Sequence, residues 1–415
     1  MKSFRARPFL AETCAALGHE MRQLRLHDAR AALCAQTVVA VLLAWGLADV
    51  LQLTDRWWAV LSAFVVVRAE ASLTRRRGLE RMAGTLAGAI VGVAVGAALG
   101  LLPRESSWLY PLLLATVAGG GLYATLSGRH PYFWALATVS TVMVLADLRL
   151  DLNLAEVALT RIADVAVGVA AAWSAAALMA PAHRNAWLTR ARHPEPVFRP
   201  SPVPPPAAPV LPVPASVAVS VPVPATVHGQ VPPATTSDQT RPGSRSHRLR
   251  GVLALYGAVV VAVLGAIYHR YPLADLGQSL VSVIAVLIVP LAASDDADPH
   301  ARIGLKMLRR ILGCLSAAVL ALLLLPLLGG HALPCALALS AGVWIAAHLQ
   351  AGPEATGYIG TQFGVGFIMV FVQDHAGPIA VSAAAHRLLG MTIGLAGLGV
   401  VLLTRAWLGS PSRSH

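Results

Sequence analysis

The chain of 415 residues is 56% apolar and 13% charged, has a mean hydropathy of +0.65, and carries 32 Lys and Arg against 20 Asp and Glu. No soluble fold buries that much apolar surface and still presents a wettable exterior, so lipid must be part of the solvent. The basic excess lies in short runs flanking apolar spans rather than along one face of a soluble domain, which argues against a nucleic-acid partner.

Residues 1–30 are interrupted by Arg5, Arg7, Arg22, Arg25 and Arg30 and hold no apolar run ending in a cleavage site, so this segment is expected to stay uncleaved and cytoplasmic. Apolar segments suited to about 30 Å of hydrocarbon follow near 31–53, 57–70, 84–102, 109–126, 131–147 and 158–180. Six more lie near 251–268, 278–293, 311–328, 333–350, 357–373 and 387–408. With both termini inside, 26 Lys or Arg fall on cytoplasmic segments and 6 on the opposite side, which sets the expected orientation.

The second and eighth spans are short, with eleven uninterrupted apolar or small residues from Trp57 to Val67. A re-entrant hairpin there would place Arg75, Arg76, Arg77 and Arg81 outside, so a crossing is expected. Matched short segments also point to a substrate path, because a short or broken helix leaves polar backbone that must line a cavity. The third span carries Gly84, Gly88, Gly92, Gly96 and Gly100, a stripe on the i±4 row along which a neighbouring helix can approach closely. That stripe reads as helix packing, or alternatively as a glycine-lined passage.

Residues 194–233 hold 14 of the 28 prolines, a composition that favours extended polyproline II and suits a tether. Cys14, Cys34, Cys314 and Cys335 show neither a disulfide framework nor metal-ligand spacing. Asp295-Asp296-Ala297-Asp298 with His300 lacks the glycine and terminal Glu of a calcium loop and reads as a solvated turn. No phosphate-binding glycine loop or hydrolytic motif occurs, so the chain is not expected to be an enzyme or to need a cofactor or metal.

The chain is built twice. Arg81-Met82-Ala83-Gly84 returns as Arg310-Ile311-Leu312-Gly313, and Arg161 with Gly168 returns as Arg387 with Gly394. Tyr132 precedes Arg161 by 29 residues, as Tyr358 precedes Arg387. The predicted fold class is an all-α polytopic membrane protein of about 12 transmembrane helices in two parallel six-helix repeats. The expected divisions are 1–30, a first repeat over 31–183, a Pro-rich cytoplasmic linker over 184–248, a second repeat over 249–408, and a tail over 409–415.

Four segments carry a resemblance: Trp57 through Ala63, the basic loop Ser72 through Gly78, Arg81 through Thr85, and Arg161 through Pro181. Together they resemble the fusaric-acid-resistance family of bacterial inner-membrane exporters, which includes aromatic acid efflux pumps, well over 30–183 and loosely over 248–408. The resemblance implies a proton-driven exporter of small aromatic or related carboxylic acids, often working with a periplasmic adaptor protein. Members commonly carry sizeable cytosolic domains after each membrane half, whereas here a Pro-rich tether and a short tail follow.

Such an exporter needs a cation or hydrogen-bond donor at depth, a flat surface for a ring and a titrating group in the path. Trp57, Trp58, Tyr132, Trp134 and Tyr358 are the ring candidates, with Thr361 and Gln362 as donors and Tyr358–Gln362 the preferred pair; interfacial anchoring also explains most of the aromatics. Arg68 reads as the group that draws the anion in, partnered by Glu70, or both snorkel to the interface. Glu70, Asp147, Asp164 and His348 are the proton-coupling candidates, although Asp164 is also placed for an i,i+3 pair with Arg161 and His348 for capping. Arg161 and Arg387 are either a symmetric exit pair or interfacial anchors.

The partners expected are the lipid bilayer, a small organic anion, a periplasmic adaptor and further copies of the chain. Two other functions compete. One is an organic-anion channel, since plant aluminium-activated malate channels share a distantly similar six-span module; the other is a non-transporting scaffold that recruits a partner through its tether.

Overall fold

The computed structural model describes residues 6–24, 29–100, 108–147, 153–192, 244–271, 276–289, 299–328, 331–372 and 381–408. The expected linker core and C-terminal tail lie outside these residues, as does the acidic turn at 295–298. Thirteen α-helices and no strands are present among the described residues. In chain order they are α1 (Ala6–Arg22), α2 (Ala29–Val50), α3 (Arg56–Val66), α4 (Ala71–Gly100), α5 (Leu109–Ser127), α6 (Pro131–Asp147) and α7 (Leu154–Arg192). The second half supplies α8 (Ser244–Arg270), α9 (Leu276–Leu287), α10 (Pro299–Leu328), α11 (Ala332–Gln350), α12 (Glu354–Phe371) and α13 (Val381–Leu408).

Eight of these helices are long and apolar enough to cross a membrane, and the shorter apolar helices fall at α3, α6, α9 and α12. Helices α4 and α10 begin about a dozen residues before the apolar stretches predicted for them, because their basic first turns are themselves helical. Helix α7 likewise continues to Arg192, past the predicted end of the first repeat. Helix α1 was not predicted; its one buried edge, with Thr13 and Glu20, packs on α11 and α12.

The short helix α3 covers only about 16 Å, at 1.5 Å for each of its 11 residues. The extended residues from Val67 carry the chain the rest of the way. Asp55, before α3, lies near Arg161 at one end of the layer, while Arg68, after it, is an electrostatic neighbour of Tyr132 at the other end of α6. The segment therefore runs the same depth as α6 rather than turning back.

The two halves pack by one scheme. Within the first, α4 lies on α6, α5 on α6, and α7 on α2, α3 and α4; within the second, α10 lies on α12, α11 on α12, and α13 on α8, α9 and α10. Between halves, α5 meets α8 as α2 meets α11, and α6 meets α9 as α3 meets α12. The correspondence reaches single residues. A Cβ on Gly84 would meet the Phe133 carbonyl oxygen at 2.7 Å and the Leu136 side chain; one on Gly313 would meet the Ile359 oxygen at 2.7 Å and the Gln362 side chain.

The two large cores are shared between the halves, and only a small cluster of Ala89, Val144 and Ala158 belongs to the first half alone. One cluster joins α2, α3 and α7 to α10, α11 and α12 around Phe64, Leu339 and Phe367. The other joins α8, α9 and α13 to α5 and α6 around Leu114, Leu145 and Ile284. Outward faces remain apolar, with Leu86, Ile90, Leu112, Leu255, Val263 and Leu323 all exposed, as lipid rather than water requires.

Candidate functional site

The glycine stripe decides where the site forms. Gly84, Gly88 and Gly92 press on Phe133, Ala137, Ser140, Thr141 and Val144 of α6, and Gly96 presses on Leu154 of α7; Gly100 has nothing near it. Without side chains on that face, α4 and α6 touch backbone to backbone, and Thr141 Oγ1 donates across the seam to the Gly88 carbonyl at 3.0 Å. Beside this seam, where α3 and α7 close the other walls, a small cavity is left.

Its lining is Trp58 from α3, Arg81 and Thr85 from α4, Leu136, Val139, Ser140 and Met143 from α6, and Arg161 and Val165 from α7. Arg81 is only 4% exposed and Arg161 9%. Three N–H groups of this wall, Trp58 Nε1, Arg81 Nε and Arg161 Nε, are buried and have no acceptor. Thr85, Ser140 and Met143 are the other polar residues of the lining, and Arg161 Nη1 lies 3.8 Å from the Met143 sulfur. Buried donors without acceptors are costly, so a wall that offers three of them is matched to an anion. About 20 Å³ is open inside, room for a water-sized group and not for an aromatic ring.

Each end of the cavity is charged. At one end, Arg81 Nη1 donates to the Tyr132 hydroxyl at 3.4 Å and the Arg77 guanidinium covers the Tyr132 ring at 4.1 Å. Arg77 also donates to the Val65 carbonyl, and Arg68 to that of Val67. Among the described residues, no carboxylate lies within 4 Å of Arg68, Arg77 or Arg81, so three cations share one phenol. At the other end, Arg161 Nη2 lies 3.5 Å from Asp147 and 3.9 Å from Asp55, with its guanidinium 4.8 Å from the Trp58 ring centre.

The remaining predicted residues divide. Trp57 is buried and stacks obliquely on Trp58 at 4.4 Å, whereas Trp134 is exposed beside Phe133. Glu70 is exposed and bonds Ser72 rather than Arg68, because Thr74 bonds both the backbone N–H and the carbonyl of Arg68 and closes the turn between them. Asp164 is fully buried on α7. His348 is buried at the end of α11, where Nε2 lies 3.0 Å from the Glu20 carbonyl of α1. Arg387 belongs to α13, and its side chain lies outside what is described.

In the second half, Arg310 is 7% exposed and donates to Ser282 at 3.1 Å, and Lys306 sits 5.1 Å from the Tyr358 ring centre as Arg77 does over Tyr132. Gln362 is buried with its side-chain oxygen unpartnered, at the position where the first half has Leu136; Thr361 bonds the Gly357 carbonyl within α12. Arg77, Arg81, Lys306 and Arg310 were not among the sequence candidates. The signal was there, since Arg81 and Arg310 are the matched pair that reveals the repeat. Among the described residues, no group of three His, Cys, Asp or Glu is placed to hold a metal.

A model of the family described as fusaric acid resistance protein-like matches residues 43–175. Those residues belong to that family. The fusaric acid resistance protein-like segment runs from within α2 into α7 and contains every residue of the cavity wall. With the long apolar helices, it supports a multi-pass membrane transporter. No curated protein and no solved structure matches the chain.

Proposed function

We propose that the chain is a secondary exporter of small organic anions, aromatic carboxylic acids among them, driven by the proton gradient across a bacterial inner membrane. One observation carries this reading: three residues that line a single cavity, two of them arginines, each hold a buried N–H donor without an acceptor. The basic excess supports a cytoplasmic mouth at Arg68, Arg77 and Arg81, where these cations gather anions. The anion then enters between Arg81 and Arg161 against Trp58 and leaves past Arg161. Because the cavity is closed to a ring, loading requires α4 and α6 to part along their glycine seam. A periplasmic adaptor and self-association belong to the same proposal and rest on the resemblance.

The test is flux of labelled hydroxybenzoate in proteoliposomes, with pH gradient and membrane potential imposed separately. Accumulation against its own gradient, lost when the proton gradient collapses, is the expected result. Flux only down the electrochemical gradient with accompanying current would make the protein a channel, and no flux of any carboxylate would overturn the reading.

A further inference from the structure

Arg161 serves two clients. It lines the cavity, where its buried Nε has no acceptor, and its Nη2 reaches Asp147 at 3.5 Å and Asp55 at 3.9 Å. One positive charge facing two carboxylates leaves that cluster a net anion even before a substrate arrives. A carboxylate entering the cavity must compete with Asp147 for the same guanidinium. We propose that Asp147 is the resident counter-anion of the transport site, displaced from Arg161 by the carboxylate of the transported anion and taking up a proton when it is displaced.

This rests on the proposed function, since it needs an anion to reach the cavity. The contact is built to exchange. At 3.5 Å it is longer than a good charge-assisted bond, and the Asp147 side chain is 23% exposed, so solvent can replace the cation it loses. Asp147 is the last residue of α6, beyond Ser140 and Val144, which pack on the glycine seam. Once Arg161 turns to the substrate, Asp147 is left beside Asp55, which sits on the same guanidinium nitrogen, and two like charges so close favour uptake of a proton.

The other groups at this end are few among the described residues. Helix α7 contributes Arg161, the buried Asp164 and the exposed Glu156; α5 contributes Tyr110, whose hydroxyl donates to the Leu145 carbonyl; α8 brings the His269 ring 6.1 Å from that of Tyr110; and the Asp49–Arg56 pair flanks Asp55. Arg104, Glu105, Arg149, Asp151 and Asp275 lie outside the described residues. In the sequence of the second half, Gln373 stands where Asp147 stands in the first, so the competing carboxylate belongs to one repeat alone.

The linkage has a direction. Anion arrival and proton uptake favour one another, so at this site the two bind together. Antiport needs the proton to leave as the anion binds, and an export cycle powered by inward proton flow must therefore use a carboxylate other than Asp147.

The experiment is calorimetric titration of benzoate into the purified full-length protein, from mildly acid to mildly alkaline pH, in buffers of different ionisation enthalpy. The wild-type protein should bind benzoate more tightly as pH falls and take up protons on binding. Asp147→Asn should bind about two- to fivefold tighter at neutral pH, the scale of a partly exposed ion pair, with the uptake and the pH slope reduced. Asp55→Asn, which removes the farther carboxylate, should shift affinity the same way by less, and it keeps the test alive if the Asp147 variant fails to fold. Affinity and proton uptake unchanged in both variants would overturn this proposal and leave the exporter reading intact. Benzoate bound by neither the wild-type protein nor the variants would overturn both.

Discussion

Tyr132 accepts a hydrogen bond from Arg81 at 3.4 Å and lies face-on beneath the guanidinium of Arg77 at 4.1 Å. A single phenol so fixes two cations at the mouth of the cavity. Tyr132→Phe keeps the ring and removes the acceptor, and the loss of one hydrogen bond to a cation should raise the KM for a carboxylate by about two- to tenfold with kcat little changed. Arg81→Gln removes the charge itself and should weaken uptake into the site further, by more than about tenfold. Initial flux rates at varied substrate concentration separate the two.

Trp58 is the flat wall of the site and the surface over which Arg161 lies at 4.8 Å. Replacing it with Leu keeps an apolar wall but removes the ring. Flux of an aromatic carboxylate should fall by about threefold or more, the scale of one aromatic or cation–π contact, while that of an aliphatic carboxylate of similar size falls less. Equal losses for both would mean that Trp58 only shapes the cavity.

Two glycines of one stripe should answer differently to the same change. A Cβ on Gly88 runs into the Ala137 carbonyl and the Ser140 side chain, whereas one on Gly100 meets nothing within 4 Å. Gly88→Ala should cost about 1–3 kcal/mol by forcing α4 from α6, and Gly100→Ala should stay within about 1 kcal/mol of the parent. Thermal unfolding in detergent reads both.

At the basic end, Arg30 ties the start of α2 to the second half, donating to the His348 carbonyl from Nη2 at 2.6 Å and Nε at 3.0 Å and pairing with Glu20 of α1 at 2.5 Å. Arg30→Ala removes all three contacts and Glu20→Ala only one. Limited proteolysis should therefore release α1 faster in the Arg30 variant than in the Glu20 variant, and faster in both than in the parent.

Much of the architecture was legible because a span long enough for a bilayer leaves an unbroken apolar run, and because Arg81 and Arg310 mark the same place twice. The site was less so. Tyr132 and Trp134 are two residues apart on α6, which is about 200° of rotation, so one faces the arginines and the other faces out. Composition cannot choose between those faces. Nor does spacing place Arg81 and Arg161 on one cavity, because 80 residues of chain separate them and only the packing of α7 on α4, beside the α4–α6 seam, brings them to it. Glu70 missed its expected partner through a local detail, the Thr74 bonds that turn the backbone between it and Arg68.

The shared cores say something about how such a chain can arise. Helices α2, α3 and α7 bury their inner faces on α10, α11 and α12, and α8, α9 and α13 do the same on α5 and α6. A protein with a single repeat would expose both of those faces, and the one surface that fits them is another copy of itself. Its functional form would be an isologous dimer, with each subunit lending α5 and α6 to its twin. Joining the copies in one polypeptide keeps that geometry and lifts its symmetry. Leu136 can then stand in one half where Gln362 stands in the other, and only one half need keep a carboxylate at the place of Asp147.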